Sequence, residues 1–155
     1  MKIAIAQINV HIGNFSGNLA RIRSAVAEAK TQGADLVLLP ELTTVGYPPR
    51  DFLEFSDFIA QADEMVEALK TDAQGIAILV GSTTINPVPE GKDLYNSAYF
   101  LADGEIKAIQ HKTLLPTYDI FDEYRYFEPA HEWEVIEYMG QRIALTICLT
   151  IGQPR

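Results

Sequence analysis

One amphipathic stripe between two short apolar runs restricts this chain's fold more than any other feature. Phe15, Leu19, Ile22, Val26 and Ala29 recur at the spacing of a single helix face. Asn14 or Ser16 can cap the start of that helix, and Gly33 stands where a left-handed stop is wanted. Before it, residues 3–10 read as a strand covered on both faces, because Ile3 and Ile5 alternate with Ala4, Ala6 and Ile8 and both sets are apolar. After it, residues 35–39 form a second short apolar strand that stops at Pro40. Residues 43–51 hold Gly46, Pro48 and Pro49 and read as a loop. Ser56 opens a second helix, with Phe58, Ala62, Met65 and Leu69 on one face and Asp63, Glu64 and Glu67 on a solvated acidic face. Residues 75–84 predict a strand and residues 86–93 an exposed turn. Asp103-Gly104 joins residues 95–101 and 105–110 as a hairpin, and Gly140 joins residues 133–136 and 142–147 as another. The order predicts an α/β domain with a mixed sheet and helices on at least one face.

Charge narrows the partners. Twelve basic residues against 21 acidic ones give a net charge of −9, which repels phosphate backbones and anionic membranes. The single cysteine excludes an internal disulfide and fits a reducing, cytoplasmic setting. Gln7 and Asn9 interrupt the apolar start, which argues against a secretory leader. The densest apolar run, residues 76–80, is too short to span a bilayer.

Three reactive side chains fall at the carboxyl ends of predicted strands, the edge where ligands gather in open α/β sheets. Glu41 follows the strand at 35–39, Lys112 follows the strand at 105–110, and Cys148 ends the strand at 142–147. Singly, each has a plainer reading: a solvated glutamate, a surface lysine, a small core cysteine. Together they make an acyl-transfer set of a thiol, a carboxylate base and a fixed cation. The thiolate is the attacking form, so a nearby carboxylate that accepts its proton and a cation that stabilises the oxyanion both serve the reaction. His11, His111 and His131 are scattered and read as structural or exposed. Neither H-x-x-x-H nor C-x-x-C is present, so no metal site is expected, and the absence of G-x-x-x-x-G-K-S/T leaves no ATP-binding motif.

Four segments carry a family resemblance: IAIAQINVHIGNFSGN, DLVLLPE, HKTLLPTYDIFDEYRYF and IALTIC. In order, spacing and context they resemble the nitrilase superfamily. GYPPRD and YDIFDEYRYF are similar to the glutamine amidase domain of bacterial glutamine-dependent NAD synthetases. The resemblance implies a four-layer αββα sandwich, of which residues 1–155 would form a single partial domain. It implies Glu41 as general base, Lys112 as cationic stabiliser and Cys148 as nucleophile. Tyr47, Tyr118 and Glu123 would serve substrate binding, the two tyrosines from loops that line the glutamine pocket and Glu123 from an acidic position beside the triad. The implied reaction is hydrolysis of the glutamine side-chain amide through a γ-glutamyl thioester. This domain would need no cofactor. The ammonia would go to a synthetase domain that uses ATP, Mg2+ and deamido-NAD.

After Cys148 the sequence departs from that pattern: Leu149, Thr150, Ile151 and Gly152 stand where the family has Glu-Asp-Ile-Trp. With Arg155 as the last residue, the remaining strands of the amidase domain and the synthetase domain are absent from the sequence. Uncovered apolar sheet, self-association into a homo-oligomer and little or no activity are the corresponding expectations. Three rival readings stand beside this one. They are another nitrilase-type amidase, an inactive fragment that only associates, and an α/β small-molecule binding domain.

Overall fold

The computed structural model describes residues 1–118 and 121–147. Strand β1 (Ile3–Ile5) leads into helix α1 (Phe15–Thr31), strand β2 (Leu36–Leu38), helix α2 (Ser56–Leu69) and strand β3 (Ala77–Ile85). Strands β4 (Leu94–Ala102) and β5 (Glu105–His111) follow as a hairpin, then β6 (Val135–Tyr138) and β7 (Gln141–Ala144) as a second one. A five-stranded sheet runs in chain order from β1 to β5. β1, β2 and β3 are parallel, whereas β4 and β5 are antiparallel to their neighbours, so the sheet is mixed as the sequence predicts. β6 and β7 make a separate two-stranded sheet.

Side-chain alternation along the strands builds two cores. Val37, Ile78, Val80, Tyr99 and Leu101 face the helices and meet Ile22, Val26, Met65 and Leu69. Leu36, Ala77, Phe100, Ala102 and Ala108 face the other way and meet Leu145, with Ile136, Tyr138 and Ile143 of the second hairpin packed against them. The layers are therefore helices, large sheet, small sheet: three of the four expected, among the described residues. A register shift beside Phe100 and Leu101 lets Ile106 pair with Leu101 while Ala108 pairs with Phe100, which keeps each on its proper face.

Helix α1 begins as predicted, with Asn14 Oδ1 accepting a hydrogen bond from the Gly17 amide at 3.2 Å. Both hairpins turn through two consecutive left-handed residues, Asp103-Gly104 (φ 55° and 79°) and Met139-Gly140 (φ 50° and 69°), the twist that suits a two-residue connection.

Three expectations need correction. β1 is three residues long and covered on one face only, because the small sheet does not reach it: Ile3 is 49% and Ile5 73% exposed. The final strand is shorter than residues 142–147, since β7 stops at Ala144. Beyond it the Leu145 amide still donates to the Glu134 carbonyl at 3.1 Å. Asp63 is half-buried rather than part of a solvated face. Burial, followed by the neighbouring Glu67, raises its carboxyl above the ordinary range. Among the described residues no helix is long and apolar enough to cross a membrane.

Candidate active site

Glu41 is delivered by the end of β2. The Leu39 amide donates to the Leu79 carbonyl at 2.9 Å, so the chain stays against β3 for one residue more before Pro40 turns it away. Leu42 then adopts φ 48°. The Thr44 amide donates to the Gly81 carbonyl at 3.1 Å, and Thr44 Oγ1 meets Ser82 Oγ at 2.7 Å. Gly81 is required here: a Cβ on it would stand 2.3 Å from the Leu42 nitrogen and 2.8 Å from the Glu41 carbonyl carbon.

Lys112 follows β5 directly and is held on both sides by main chain. Its amide donates to the Asn96 carbonyl at 2.8 Å and its carbonyl accepts from the Ala130 amide at 2.9 Å. The side chain turns inward and is only 2% exposed. Nζ lies 2.6 Å from Glu41 Oε1, 3.0 Å from Glu123 Oε1 and 2.8 Å from Glu123 Oε2. Glu123 opens a short 3-10 turn, Glu123–Arg125, and is itself buried. Two carboxylates thus flank one buried ammonium, which offsets the cost of removing that charge from water.

The surrounding groups fix this ion cluster. Tyr47 Oη donates to Glu123 Oε1 at 2.8 Å, and Asn96 Nδ2 donates to Glu41 Oε1 at 2.6 Å. Tyr118, 37% exposed, packs edge-on against Phe121 with ring centroids 5.8 Å apart, and Phe121 lies 6.2 Å from Tyr47. One cavity of about 240 Å³ opens beside Glu41, bounded by Pro40, Gly81, Ala98, Thr146 and Ile147. A second, about 270 Å³, opens on the other side against Tyr47, Glu123, Arg125 and Tyr126.

Of the six sequence-predicted residues, the structure gathers Glu41, Lys112, Glu123 and Tyr47 by direct contact. Tyr118 stands further out, linked through aromatic rings. Cys148 lies outside the described residues, although Ile147, its neighbour in sequence, lines the cavity beside Glu41. Asn96 escaped the sequence reading. Its only signal is a polar Asn96-Ser97 pair inside an otherwise apolar strand, and it is 1% exposed.

The histidines take the structural roles expected of them. His11 and His131 are exposed. His111 Nδ1 is 2.7 Å from Ser97 Oγ, its ring stacks on Tyr95 at 4.2 Å, and burial lowers its pKa below the ordinary range.

Comparison with known proteins sets this geometry in a family. The carbon-nitrogen hydrolase family matches residues 2–155. A glutamine-dependent NAD(+) synthetase of Synechocystis sp. is 44% identical over 150 residues, 94% of this chain and 27% of that protein. The Thermotoga maritima synthetase is 34% identical over 156 residues, 99% of this chain and 26% of that protein. The chain therefore spans about a quarter of the length of these curated relatives. Among solved structures, a glutamine-dependent NAD+ synthetase from Acinetobacter baumannii in complex with ADP superposes with a TM-score of 0.86 at 34% identity, covering 94% of this chain and 27% of that one. A mutant amidase from Nesterenkonia sp. AN1, with acrylamide added at its active-site cysteine, gives 0.82 at 29% identity, covering 96% of this chain and 57% of that one. Through these matches and the fold they share, the chain belongs to the carbon-nitrogen hydrolase family.

Proposed function

We propose that the chain is the front part of a glutamine amidase domain that works through Glu41, Lys112 and Cys148. The observation that carries this reading is the buried Lys112 ammonium, held 2.6 Å from Glu41 and 2.8 Å from Glu123. A lysine so placed is a fixed positive charge beside a carboxylate, the arrangement an acyl transfer uses twice. Among the described residues, Asn96 and Lys112 donate to Glu41, both to Oε1, so neither of these two occupies Oε2.

In the proposed reaction Glu41 takes the Cys148 thiol proton as the sulfur attacks the side-chain amide carbon of glutamine. Lys112, with a backbone N–H beside the cysteine, stabilises the oxyanion. The C–N bond breaks and Glu41 returns the proton to the departing nitrogen, so ammonia leaves and a γ-glutamyl thioester remains. Water, deprotonated by Glu41, hydrolyses the thioester to glutamate and restores the thiol. Tyr47, Tyr118 and Glu123 line the pocket in this reading. In the full-length enzyme the ammonia passes to a synthetase domain that consumes ATP and deamido-NAD. The likeness to NAD synthetases over nearly the whole chain supports that substrate.

A second reading, hydrolysis of a short aliphatic amide, draws on the Nesterenkonia amidase, one mutant of which was solved in complex with butyramide. The test measures ammonia release from glutamine and from a short amide by this chain and by Cys148→Ala. Glutamine turnover lost in Cys148→Ala supports the first reading, and turnover of the short amide alone supports the second. Equal rates for chain and variant on both substrates would refute catalysis through Cys148.

A further inference from the structure

We infer that Asn96 is a positioning residue for the base, anchoring Glu41 through Oε1 so that Oε2 is the oxygen that carries the proton. The inference rests on the amidase reading and deepens it. Asn96 touches both arms of the ion pair. Its main-chain carbonyl accepts the Lys112 amide at 2.8 Å, and its side-chain Nδ2 donates to Glu41 Oε1 at 2.6 Å. It sits near the start of β4, opposite Thr83 of β3, and is 1% exposed. Among the described residues, Asn96 Oδ1 has no hydrogen-bond partner. The contact with Glu41 is therefore its side chain's described hydrogen bond, and a carboxylate oxygen can only accept there.

The choice of amide over carboxylate follows. An aspartate at this position would put a second negative charge against Glu41 and supply no proton to it. With Nδ2 and Lys112 Nζ both donating to Oε1, a proton arriving from the thiol adds to Oε2. The S–H bond breaks, an O–H bond forms at Oε2, and Oε1 keeps its two donors as the carbonyl oxygen of the neutral acid. The carboxyl group then need not swing between accepting the proton and returning it, which preserves alignment through the cycle.

The test compares Asn96→Leu, Asn96→Asp and Glu41→Gln in the whole chain. Cys148 is the sole cysteine, so iodoacetamide alkylation reads its reactivity without glutamine, and steady-state kinetics give kcat and KM. Loss of the anchor is expected to slow alkylation about tenfold and to lower kcat by about 10–100-fold, with KM within about threefold. Asn96→Asp keeps the side-chain volume and carries the test if Asn96→Leu melts early. Alkylation and kcat within about twofold of the parent in the Asn96 variants, with both lost in Glu41→Gln, overturn the role of Asn96 alone. No effect of Glu41→Gln on either readout overturns the amidase reading, and this inference with it.

Discussion

Lys112 Nζ lies 2.6 Å from Glu41 Oε1 although 71 positions of sequence separate the two residues. Neither partner is brought there by a long loop. Each is the first or third residue beyond a strand of one sheet, and the gap between β2 and β5 is closed by the turn after Pro40, which packs against Gly81 of β3, and by the inward-turned Lys112 side chain. The pair is thus a property of the fold, and its removal is felt by the fold as well as by any chemistry.

Lys112→Met is expected to destabilise the chain by about 3–5 kcal/mol, because it strands the buried Glu123 carboxylate and unpairs Glu41. Urea denaturation measures this. Activity should fall in the same variant, whereas Cys148→Ala should lose activity with stability nearly unchanged. A Lys112→Met chain as stable as the parent would contradict the role given to the ion cluster.

Gly81→Ala inserts a methyl group where the Leu42 nitrogen is 2.3 Å and the Pro40 carbonyl oxygen 2.8 Å away. Those neighbours are backbone and cannot rotate aside. About 1–3 kcal/mol of destabilisation is expected, with displacement of Glu41 and a loss of glutamine turnover larger than the stability change alone would give. Parent-like melting and turnover would show that the two strands separate at little cost.

His111 supplies a pH dependence with a definite sign. Burial lowers its pKa from the ordinary 6.5. Below that value the unfolded chain binds a proton that the folded chain resists, so stability falls as pH drops from 6.5 toward the lowered folded value. Denaturation at neutral and mildly acidic pH should show this loss. It should be smaller in His111→Gln, which cannot titrate yet can still bond Ser97. An identical loss in both chains would assign it to the carboxylates instead.

Ile3 and Ile5 form an exposed apolar pair on an edge strand. Ile5→Lys is expected to shift sedimentation toward smaller species, since edge charges oppose strand pairing between copies. An unchanged distribution would place any self-association elsewhere.

The architecture was legible where period and punctuation agree. The stripe from Phe15 to Ala29 and the turns at Asp103-Gly104 and Gly140 announce themselves through spacing and φ > 0 chemistry. β1 was misread because apolarity on both faces is a local signal, whereas coverage depends on how far the β6–β7 hairpin extends. Glu41 and Lys112 were found from their place at strand ends. The burial of Lys112 was not foreseeable from sequence spacing, since it needs Glu123 from a turn 11 positions on and Glu41 from 71 positions back to meet the same ammonium. Asn96 stayed hidden because an asparagine in a strand reads as a weakness until the carboxylate opposite it is seen.

The parallel ladder between β2 and β3 has only three rungs, from Leu36↔Ala77 to Leu38↔Leu79. A slip of one rung turns each side chain to the opposite face. Glu41 would then point its carboxylate away from Lys112 with every reactive residue still intact. Substitutions that loosen those rungs can therefore break the ion cluster from a distance, and a chain mispaired there would keep its composition and most of its helices while losing the Glu41–Lys112 pair.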